Sequence, residues 1–226
     1  MRELAPFAVI RALADLTDSV LVGVSGGKDS TVTLDLCARH FKTVAGYFMY
    51  LVPGLYFQER WLQATERRYR IAIHRRPHWM LSQLYRHGAY RPKSFATDKV
   101  TPIRATDAEN ALREQTGLDW IVTGERMAES LQRRGMISAC KGLDQKRRRC
   151  YPIAHWPVEA VRHYLRSRNL TPSPDSAMLG RSFGDLNAET LAAVQQHWPD
   201  DFRTIKEHFP HVEAVLARQR FFGGQS

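Results

Sequence analysis

The chain contains little cysteine and lacks long apolar runs. Three of its 226 residues are cysteines, an odd number too small for a disulfide framework, and we therefore expect a reducing, cytoplasmic environment. No apolar stretch approaches the roughly 18 residues of a membrane span, so no membrane association is expected. Residues 1–16 include Glu3 and Asp15 and are typical of an amphipathic helix rather than a signal peptide.

Two common nucleotide-binding signatures are also missing. A Walker A loop has a glycine five positions before its Gly-Lys pair and a hydroxyl residue after it, but Val22 and Asp29 occupy those positions. Gly23, Gly26 and Gly27 do not have the spacing of the dinucleotide-binding fingerprint. Both signatures are therefore excluded as explanations of this glycine-rich stretch.

Positive charge is in clear excess. The 33 lysine and arginine residues against 23 aspartate and glutamate residues give a formal charge of +10. This excess favours an anionic ligand, which is a nucleotide, a nucleic acid or both. The length suffices for one substantial α/β core with a small helical appendage.

Apolar runs alternate with helical periodicities, which predicts a parallel sheet flanked by helices in a three-layer α/β fold. Five strands are predicted, at Val20–Val24, Thr43–Tyr50, Arg70–His74, Trp120–Thr123 and Tyr151–Ala154. Helices are predicted from about Asp29 to His40, at residues 57–69, at Ala108–Thr116 and at residues 156–170 with Pro157 in the first helical position. Residues 77–106 are predicted to be irregular.

The C-terminal part has a different composition. Residues 186–222 are predicted to form two helices separated by residues 197–199, and the last residues are expected to fray. We therefore predict a nucleotide-binding α/β domain at residues 1–180. Residues 181–226 are predicted to form a small helical extension packed on it.

The stretch SGGKDS, residues 25–30 and hereafter the SGGKDS loop, follows the first predicted strand. Its glycines allow a phosphate to approach the backbone, and the start of the next helix adds positive potential. Lys28 supplies a full charge, and Asp29 or Ser30 is expected to cap the helix. The candidate phosphate-binding residues are Ser25, Gly26, Gly27, Lys28, Asp29 and Ser30.

A second candidate segment follows the fourth predicted strand. Ligands bind at the carboxyl ends of strands in parallel α/β sheets, so Gly124 and Arg126 are expected to face the same crevice as the SGGKDS loop. Arg133 and Arg134 offer planar, permanently charged groups for phosphate or sulfate. The alternative is a solvated helix in which these arginines pair with neighbouring glutamates.

The basic run KRRRC, residues 146–150, allows three interpretations. It is a solvated loop, a lid that closes over a triphosphate, or a contact for a nucleic-acid backbone.

The SGGKDS loop resembles the PP-loop of the adenine-nucleotide α-hydrolase superfamily, and the chain most resembles its phosphoadenosine-phosphosulfate reductase family. Four more segments support the resemblance, which covers most of residues 15–222: Tyr50–Gly54, Thr123–Gly135, Cys150–Leu165 and Asp200–Ala214. The resemblance implies an adenine nucleotide α-hydrolase-like fold. It also implies an ATP-type nucleotide, including adenosine phosphosulfate or phosphoadenosine phosphosulfate, that is cleaved beside the α-phosphate.

The resemblance also implies roles for individual residues. Lys28, Asp29 and Arg126 are the implied catalytic residues, and Asp29 is the implied ligand of a Mg²⁺ ion. Gly124 and Arg126 are expected to border the nucleotide, whereas Arg133 or Arg134 is expected to meet its anionic end.

The chain departs from the family in the cysteine that reduction requires. Sulfonucleotide reduction uses a nucleophilic cysteine in a C-terminal Glu-Cys-Gly-x-His segment, and no cysteine follows Cys150 here. We therefore expect cleavage of ATP at the α-phosphate to activate an acceptor. Three alternatives stay open: a reductase that uses Cys140, Cys150 or the thiol of a partner or sulfur-carrier protein, an enzyme that modifies tRNA or DNA, and a non-catalytic nucleotide sensor.

Overall fold

A six-stranded, mostly parallel sheet organises residues 7–222, the part of the chain that the computed structural model describes. The strands are β1 (Ser19–Gly23), β2 (Thr43–Tyr50), β3 (Ile73–Pro77), β4 (Ile121–Val122), β5 (Leu143–Asp144) and β6 (Arg149–Cys150). Their order across the sheet is β3-β2-β1-β4-β6-β5. The predicted three-layer α/β fold is confirmed, with six strands instead of five. Predictions for residues 1–6 and 223–226 lie outside the described residues.

The central strand β1 is buried on both faces. Val20, Leu21 and Val22 are fully buried, as expected for a parallel strand covered by helices. β1 pairs in parallel with β2 on one side and with β4 on the other. The carboxyl ends of β1 and β4 therefore lie next to each other, which brings the two candidate segments together.

The fifth predicted strand was wrong in position. β6 covers Arg149–Cys150 and pairs in parallel with β4, whereas residues 151–154 form a turn in which the Ala154 N–H donates to the Tyr151 carbonyl at 3.1 Å. Pro152 has no N–H to donate to a neighbouring strand, which explains why pairing stops there. The sixth strand, β5, pairs antiparallel with β6 and is only two residues long.

The helices in order are α1 (Ala8–Ala14), α2 (Lys28–His40), α3 (Tyr56–Tyr69), α4 (Met80–His87), α5 (Phe95–Asp98), α6 (Ala105–Thr116), α7 (Leu131–Cys140), α8 (Val158–Ser167), α9 (Pro174–Leu179), α10 (Ala188–His197), α11 (Pro199–His208) and α12 (Val212–Phe222). A short 3₁₀ turn covers Met127–Glu129. None of the helices described between residues 7 and 222 has the length and apolar character needed to cross a membrane.

The prediction that residues 77–106 are irregular was wrong. This stretch contains α4, α5 and the first residues of α6. α4 ends at Gly88, which adopts the left-handed conformation that favours glycine. α5 begins with a capping box in which Ser94 and Thr97 each accept a backbone N–H of the other. The two helices are short, which explains why the periodicity of the sequence did not reveal them.

Three further boundaries differ from the predictions. β3 begins at Ile73 rather than at Arg70, because Arg70 has a φ of 55° and cannot extend a strand. Pro157 is the N-cap of α8 and not its first helical residue. The C-terminal segment forms three helices from Ala188 onward instead of two, because Pro210 interrupts the chain after α11.

The chain forms two compact units. Unit 1 comprises the residues up to 48, residues 62–75 and residues 110–172, and unit 2 comprises residues 49–61, residues 76–109 and the chain from residue 173 on. In unit 2, α10–α12 share one apolar core with residues 51–57 and with Leu81 of α4. The domain boundary predicted at residue 180 stays a prediction.

A buried carboxylate in unit 1 joins α2 to two other helices. Asp35 of α2 accepts hydrogen bonds from the Tyr69 hydroxyl at 3.0 Å and the Tyr164 hydroxyl at 2.7 Å, and it lies 3.4 Å from Nε of Arg168. Burial and the Asp35 carboxylate raise the pKa of both phenols well above their usual value. These contacts fix α2, whose first turn carries the SGGKDS loop.

A second buried carboxylate organises unit 2. Asp201 in the first turn of α11 accepts the backbone N–H of Tyr56 at 2.6 Å and that of Phe57 at 3.2 Å. These groups belong to the first turn of α3, where backbone N–H groups have no partner within the helix. Asp201 therefore stabilises the start of α3 from a distant part of the sequence.

We predict that Asp201→Ala lowers the free energy of unfolding by about 2–3 kcal/mol, because one buried and one partly buried backbone donor lose a charged acceptor. The matched control is Asp200→Ala, which removes the neighbouring, exposed carboxylate that pairs with Arg203. It is expected to cost less than about 1 kcal/mol. Urea unfolding of both variants measures the difference, and equal losses would contradict the role of Asp201.

Candidate functional site

The SGGKDS loop is closed by its own hydroxyl groups. The backbone N–H and the hydroxyl of Ser25 donate to Oγ of Ser30 at 3.2 and 3.1 Å, and the Ser30 hydroxyl donates to the Gly27 carbonyl at 3.0 Å. Gly26 has a φ of 82°, which side chains rarely adopt. The N-cap of α2 is Gly27 without a side-chain cap, so the prediction that Asp29 or Ser30 caps this helix was wrong. Ser30 instead uses its hydroxyl to hold the loop.

The loop presents backbone donors that the protein itself does not use. Among residues 7–222, no acceptor is found for the N–H groups of Gly26, Lys28, Asp29 and Ser30, and the Gly27 N–H has only a long contact of 3.4 Å to Oγ of Ser25. These groups lie at the N-terminus of a 13-residue helix, where the helix dipole adds positive potential. A set of free backbone donors at a helix N-terminus is suited to binding a phosphate or a similar anion.

Gly124 brings the second candidate segment directly against this loop. A Cβ atom at Gly124 would lie 2.7 Å from the carbonyl carbon of Asp29, 2.8 Å from its oxygen and 2.9 Å from the Ser30 nitrogen. These are backbone atoms that cannot move aside alone. The chain after β4 therefore requires glycine at this position, and the predicted proximity of the two segments is what the structure shows.

An ion pair reinforces the same junction. Asp29 accepts from Nε of Arg126 at 2.7 Å through one oxygen and from Nζ of Lys28 at 2.8 Å through the other. The Arg126 side chain is only 8% exposed, and one of its terminal nitrogens lies 3.5 Å from the Trp156 carbonyl. In this structure Arg126 therefore binds the loop through Asp29.

The ion pairs continue beyond Arg126. Arg126 lies 3.8 Å from Glu129, which also pairs with Arg133, and Nε of Arg133 lies 3.7 Å from Glu125. Positive and negative side chains thus alternate through the structure in the order Lys28, Asp29, Arg126, Glu129, Arg133 and Glu125. The alternative suggested by the sequence, in which these arginines pair with neighbouring glutamates, is therefore present for Arg133.

Two predicted cations keep access to solvent in different ways. The Lys28 side chain is 33% exposed to solvent although it pairs with Asp29. Arg134 lies exposed in the first turn of α7, and no described residue forms an ion pair or hydrogen bond with its side chain. Both remain candidates for direct contact with an anion.

The basic run at residues 146–150 lies mostly in the turn between β5 and β6. Arg147 is bonded to Asp144 through its backbone N–H at 3.0 Å, and Arg148 pairs with Asp119. These pairs favour the interpretation as a solvated turn over a lid or a nucleic-acid contact.

The surroundings of Asp29 do not fit a Mg²⁺ ion held by the protein. Both carboxylate oxygens already accept from cationic donors, and no group of three acidic, histidine or cysteine side chains suited to a metal occurs among the described residues. The prediction of Mg²⁺ at Asp29 stays untested, and its contacts do not favour it.

The three cysteines differ in their access to solvent. Cys37 and Cys150 are fully buried, and burial raises the pKa of both thiols well above the usual value. Cys140 at the end of α7 is partly exposed, and its thiol lies 3.4 Å from the Ile137 carbonyl. Cys140 and Cys150 are the two cysteines considered as nucleophiles. Cys140 suits this role better, because its side chain is partly exposed whereas that of Cys150 is buried.

Two contributors to the site were not found from the sequence. The Thr31 hydroxyl donates to the Gly27 carbonyl at 2.9 Å, and Asp35 anchors α2. Asp35 follows Val32 by three residues and therefore lies on the apolar face of this helix. A carboxylate on an apolar face is a signal that could have identified Asp35. The contact of Thr31 depends on the backbone geometry of the loop, which the sequence does not specify.

Comparison with known proteins supports the assignment of the fold and the family. The family model for the phosphoadenosine phosphosulfate reductase domain matches residues 19–176, which include both candidate segments. No curated protein matches the chain in sequence.

A crystal structure of phosphoadenylyl-sulfate reductase from Candida auris, a phosphate complex, matches with a TM-score of 0.53 and 15% identity, covering 81% of this chain and 89% of that one. An NH3-dependent NAD synthetase from Campylobacter jejuni subsp. jejuni in complex with nitrate has a TM-score of 0.48 and 11% identity over 95% of each chain, a likeness too low to bear on the fold. Because the family model covers more than half of the chain, the protein belongs to the phosphoadenosine phosphosulfate reductase family.

Proposed function

We propose that this protein binds ATP through the SGGKDS loop and cleaves it at the α-phosphate. The observation that carries the proposal is the set of backbone N–H groups of Gly26, Lys28, Asp29 and Ser30 at the start of α2, which lack acceptors among the described residues. Lys28 stands beside them with part of its side chain exposed. This combination suits a polyphosphate better than a neutral ligand.

The proposed reaction is attack by an acceptor oxygen, or by water, on the α-phosphorus. The bond between the α-phosphorus and the bridging oxygen breaks, and pyrophosphate leaves with the electron pair of that bond. The acceptor becomes adenylylated, or AMP forms if water attacks, and the proton of the attacking group passes to solvent. Negative charge grows on pyrophosphate, so the backbone donors and Lys28 stabilise the transition state electrostatically.

Asp29 and Arg126 have a positioning role in this proposal. Their ion pair and the close approach of Gly124 keep the SGGKDS loop in its anion-binding conformation. Arg126 is buried, so it acts on the nucleotide through Asp29 and the loop. Arg133 and Arg134, on the more exposed α7, are proposed to meet the outer end of the ligand.

A second candidate function is reduction of a sulfonucleotide. The family description and the Candida auris structure, a reductase solved as a phosphate complex, favour it. The burial of Cys37 and Cys150 opposes it, so the thiol would come from Cys140 or from a partner protein. In that version, two electrons from a partner dithiol would reduce the sulfate group to sulfite.

Product analysis separates these functions. We expect ATP labelled at the α-phosphate to give AMP or an adenylylated acceptor, and ATP labelled at the γ-phosphate to give pyrophosphate. Lys28→Met should lower this rate about 100-fold, since one donor to the developing charge is lost. Lys42→Met, which removes an exposed lysine paired with Asp18, is the control and should leave the rate unchanged.

Other products would overturn the proposal. Formation of ADP and phosphate contradicts cleavage at the α-phosphate. Sulfite released from phosphoadenosine phosphosulfate with a dithiol reductant, without turnover of ATP, supports the reductase. Binding of ATP without any product identifies a sensor.

Gly124→Ala tests whether the close backbone approach shapes the anion site. We expect at least about tenfold weaker ATP binding, because the added methyl group displaces the start of α2 and misaligns its donors. Gly135→Ala in α7 is the matched control, since its methyl group meets nothing within 4 Å. Alanine there should raise stability by about 0.5–1 kcal/mol. Calorimetric titration and thermal unfolding measure both effects, and unchanged ATP affinity in Gly124→Ala would contradict the role of the junction.

A further inference from the structure

Unit 2 contains a cavity that the proposed reaction does not use. Its volume is about 310 Å³, and its walls include Tyr50, His78, Leu81, Tyr85, Ile103 and His208. All of these residues belong to unit 2. Aromatic and imidazole rings over an apolar floor form a suitable environment for a flat, partly polar ring.

The two histidines offer complementary hydrogen-bonding groups. Nδ1 of His78 accepts the Met80 N–H at 3.2 Å, whereas Nδ1 of His208 lies 3.0 Å from the Thr204 carbonyl and must donate to it. In the neutral rings, Nε2 of His78 is then a donor and Nε2 of His208 an acceptor. Neither has a hydrogen-bond partner among the described residues. Burial lowers the pKa of His78, which favours its neutral form.

The chain from Tyr85 to Arg104 carries strong positive charge next to this cavity. It contains five lysine or arginine residues and one aspartate. Arg86, Lys93, Lys99 and Arg104 are exposed, and no carboxylate within residues 7–222 forms an ion pair with any of them. Cations without carboxylate partners are available to an anionic ligand.

Specific contacts connect this basic segment to the cavity wall. The Ile103 N–H donates to Oγ of Ser82 at 3.0 Å, and the Arg91 guanidinium lies 4.8 Å from the centre of the Tyr85 ring. Arg86 and Arg104 directly follow two residues of the wall, Tyr85 and Ile103. The basic segment is therefore tied to the cavity wall at Ser82, Tyr85 and Ile103.

An exposed aromatic ring lies within the same segment. Phe95 is 77% exposed, and Nζ of Lys99 lies 4.0 Å from its ring centre. The lysine makes a favourable cation–π contact with the ring, and an exposed ring beside a cation is an arrangement on which a base can stack while its phosphate meets the charge.

From these contacts we infer that unit 2 binds single-stranded polynucleotide, with one base in the cavity, another on Phe95, and phosphates on Arg86, Lys93, Lys99 and Arg104. A duplex is a less suitable ligand because its base faces are stacked and not free. An acidic protein segment or a lipid surface would use the positive charges but would not need a cavity that holds a planar ring. This binding function goes beyond the proposed reaction and does not depend on it.

Salt-dependent binding of a fluorescently labelled oligonucleotide of about 20 nucleotides tests the inference. About four phosphate contacts predict a slope near −3 in a plot of log affinity against log salt concentration. The triple variant Arg86→Gln, Lys99→Gln, Arg104→Gln should reduce the slope to about −1. A matched triple variant of exposed arginines in unit 1, Arg39→Gln, Arg67→Gln, Arg166→Gln, should leave it unchanged.

Further measurements exclude other sources of the signal. ATP binding by the first triple variant should stay unchanged, and saturating pyrophosphate should not displace the oligonucleotide, which separates this surface from the SGGKDS loop. Equal slopes for both triple variants, equal affinity for the matching duplex, or equally strong binding of phosphatidylserine vesicles would overturn the inference.

Base insertion has its own readout. An oligonucleotide containing 2-aminopurine should change its emission on binding, because the ring stacks in the cavity. Tyr85→Leu retains an apolar side chain but removes the stacking surface, so it should abolish most of the change while keeping the salt dependence. The same emission change in Tyr85→Leu would contradict insertion of a base beside Tyr85.

Discussion

The junction between the SGGKDS loop and the chain after β4 is the constraint on which the rest of the site depends. Gly124 lies against the backbone of Asp29 and Ser30, and the Asp29–Arg126 ion pair closes the same contact. A backbone approach this close admits only glycine, and a buried arginine requires its carboxylate partner. Together they hold the first turn of α2 with its N–H groups directed outward.

This junction also determines which groups are available to an anion. Arg126 and Arg133 pair with carboxylates and contribute little net charge to the anion site, whereas Lys28 pairs with Asp29 but keeps part of its side chain exposed. The backbone N–H groups of Gly26, Lys28, Asp29 and Ser30 have no competing acceptor among the described residues. An incoming phosphate therefore meets an array that is already oriented, which lowers the cost of reorganisation on binding.

Much of the fold and part of the site could be predicted from the sequence. β1 is a continuous apolar run before two glycines, and parallel pairing then places Gly124 near the loop. β5 was not predicted and β6 was misplaced, because two residues carry no measurable periodicity and neither strand has the apolar run that marked the equally short β4. The contacts of Asp29 and Asp201 also escaped it, since each joins segments far apart in sequence, and local patterns contain no information about such partners.

The most direct test of the account is the response of the loop's own amide groups to a polyphosphate. We propose titrating the ¹⁵N-labelled protein with pyrophosphate and with ATP while following backbone amide resonances. We expect the largest shifts at Gly26, Gly27, Lys28, Asp29 and Ser30, with smaller shifts at Gly124. Binding that shifts other amides and leaves these unchanged would contradict the assignment of the SGGKDS loop as the anion site.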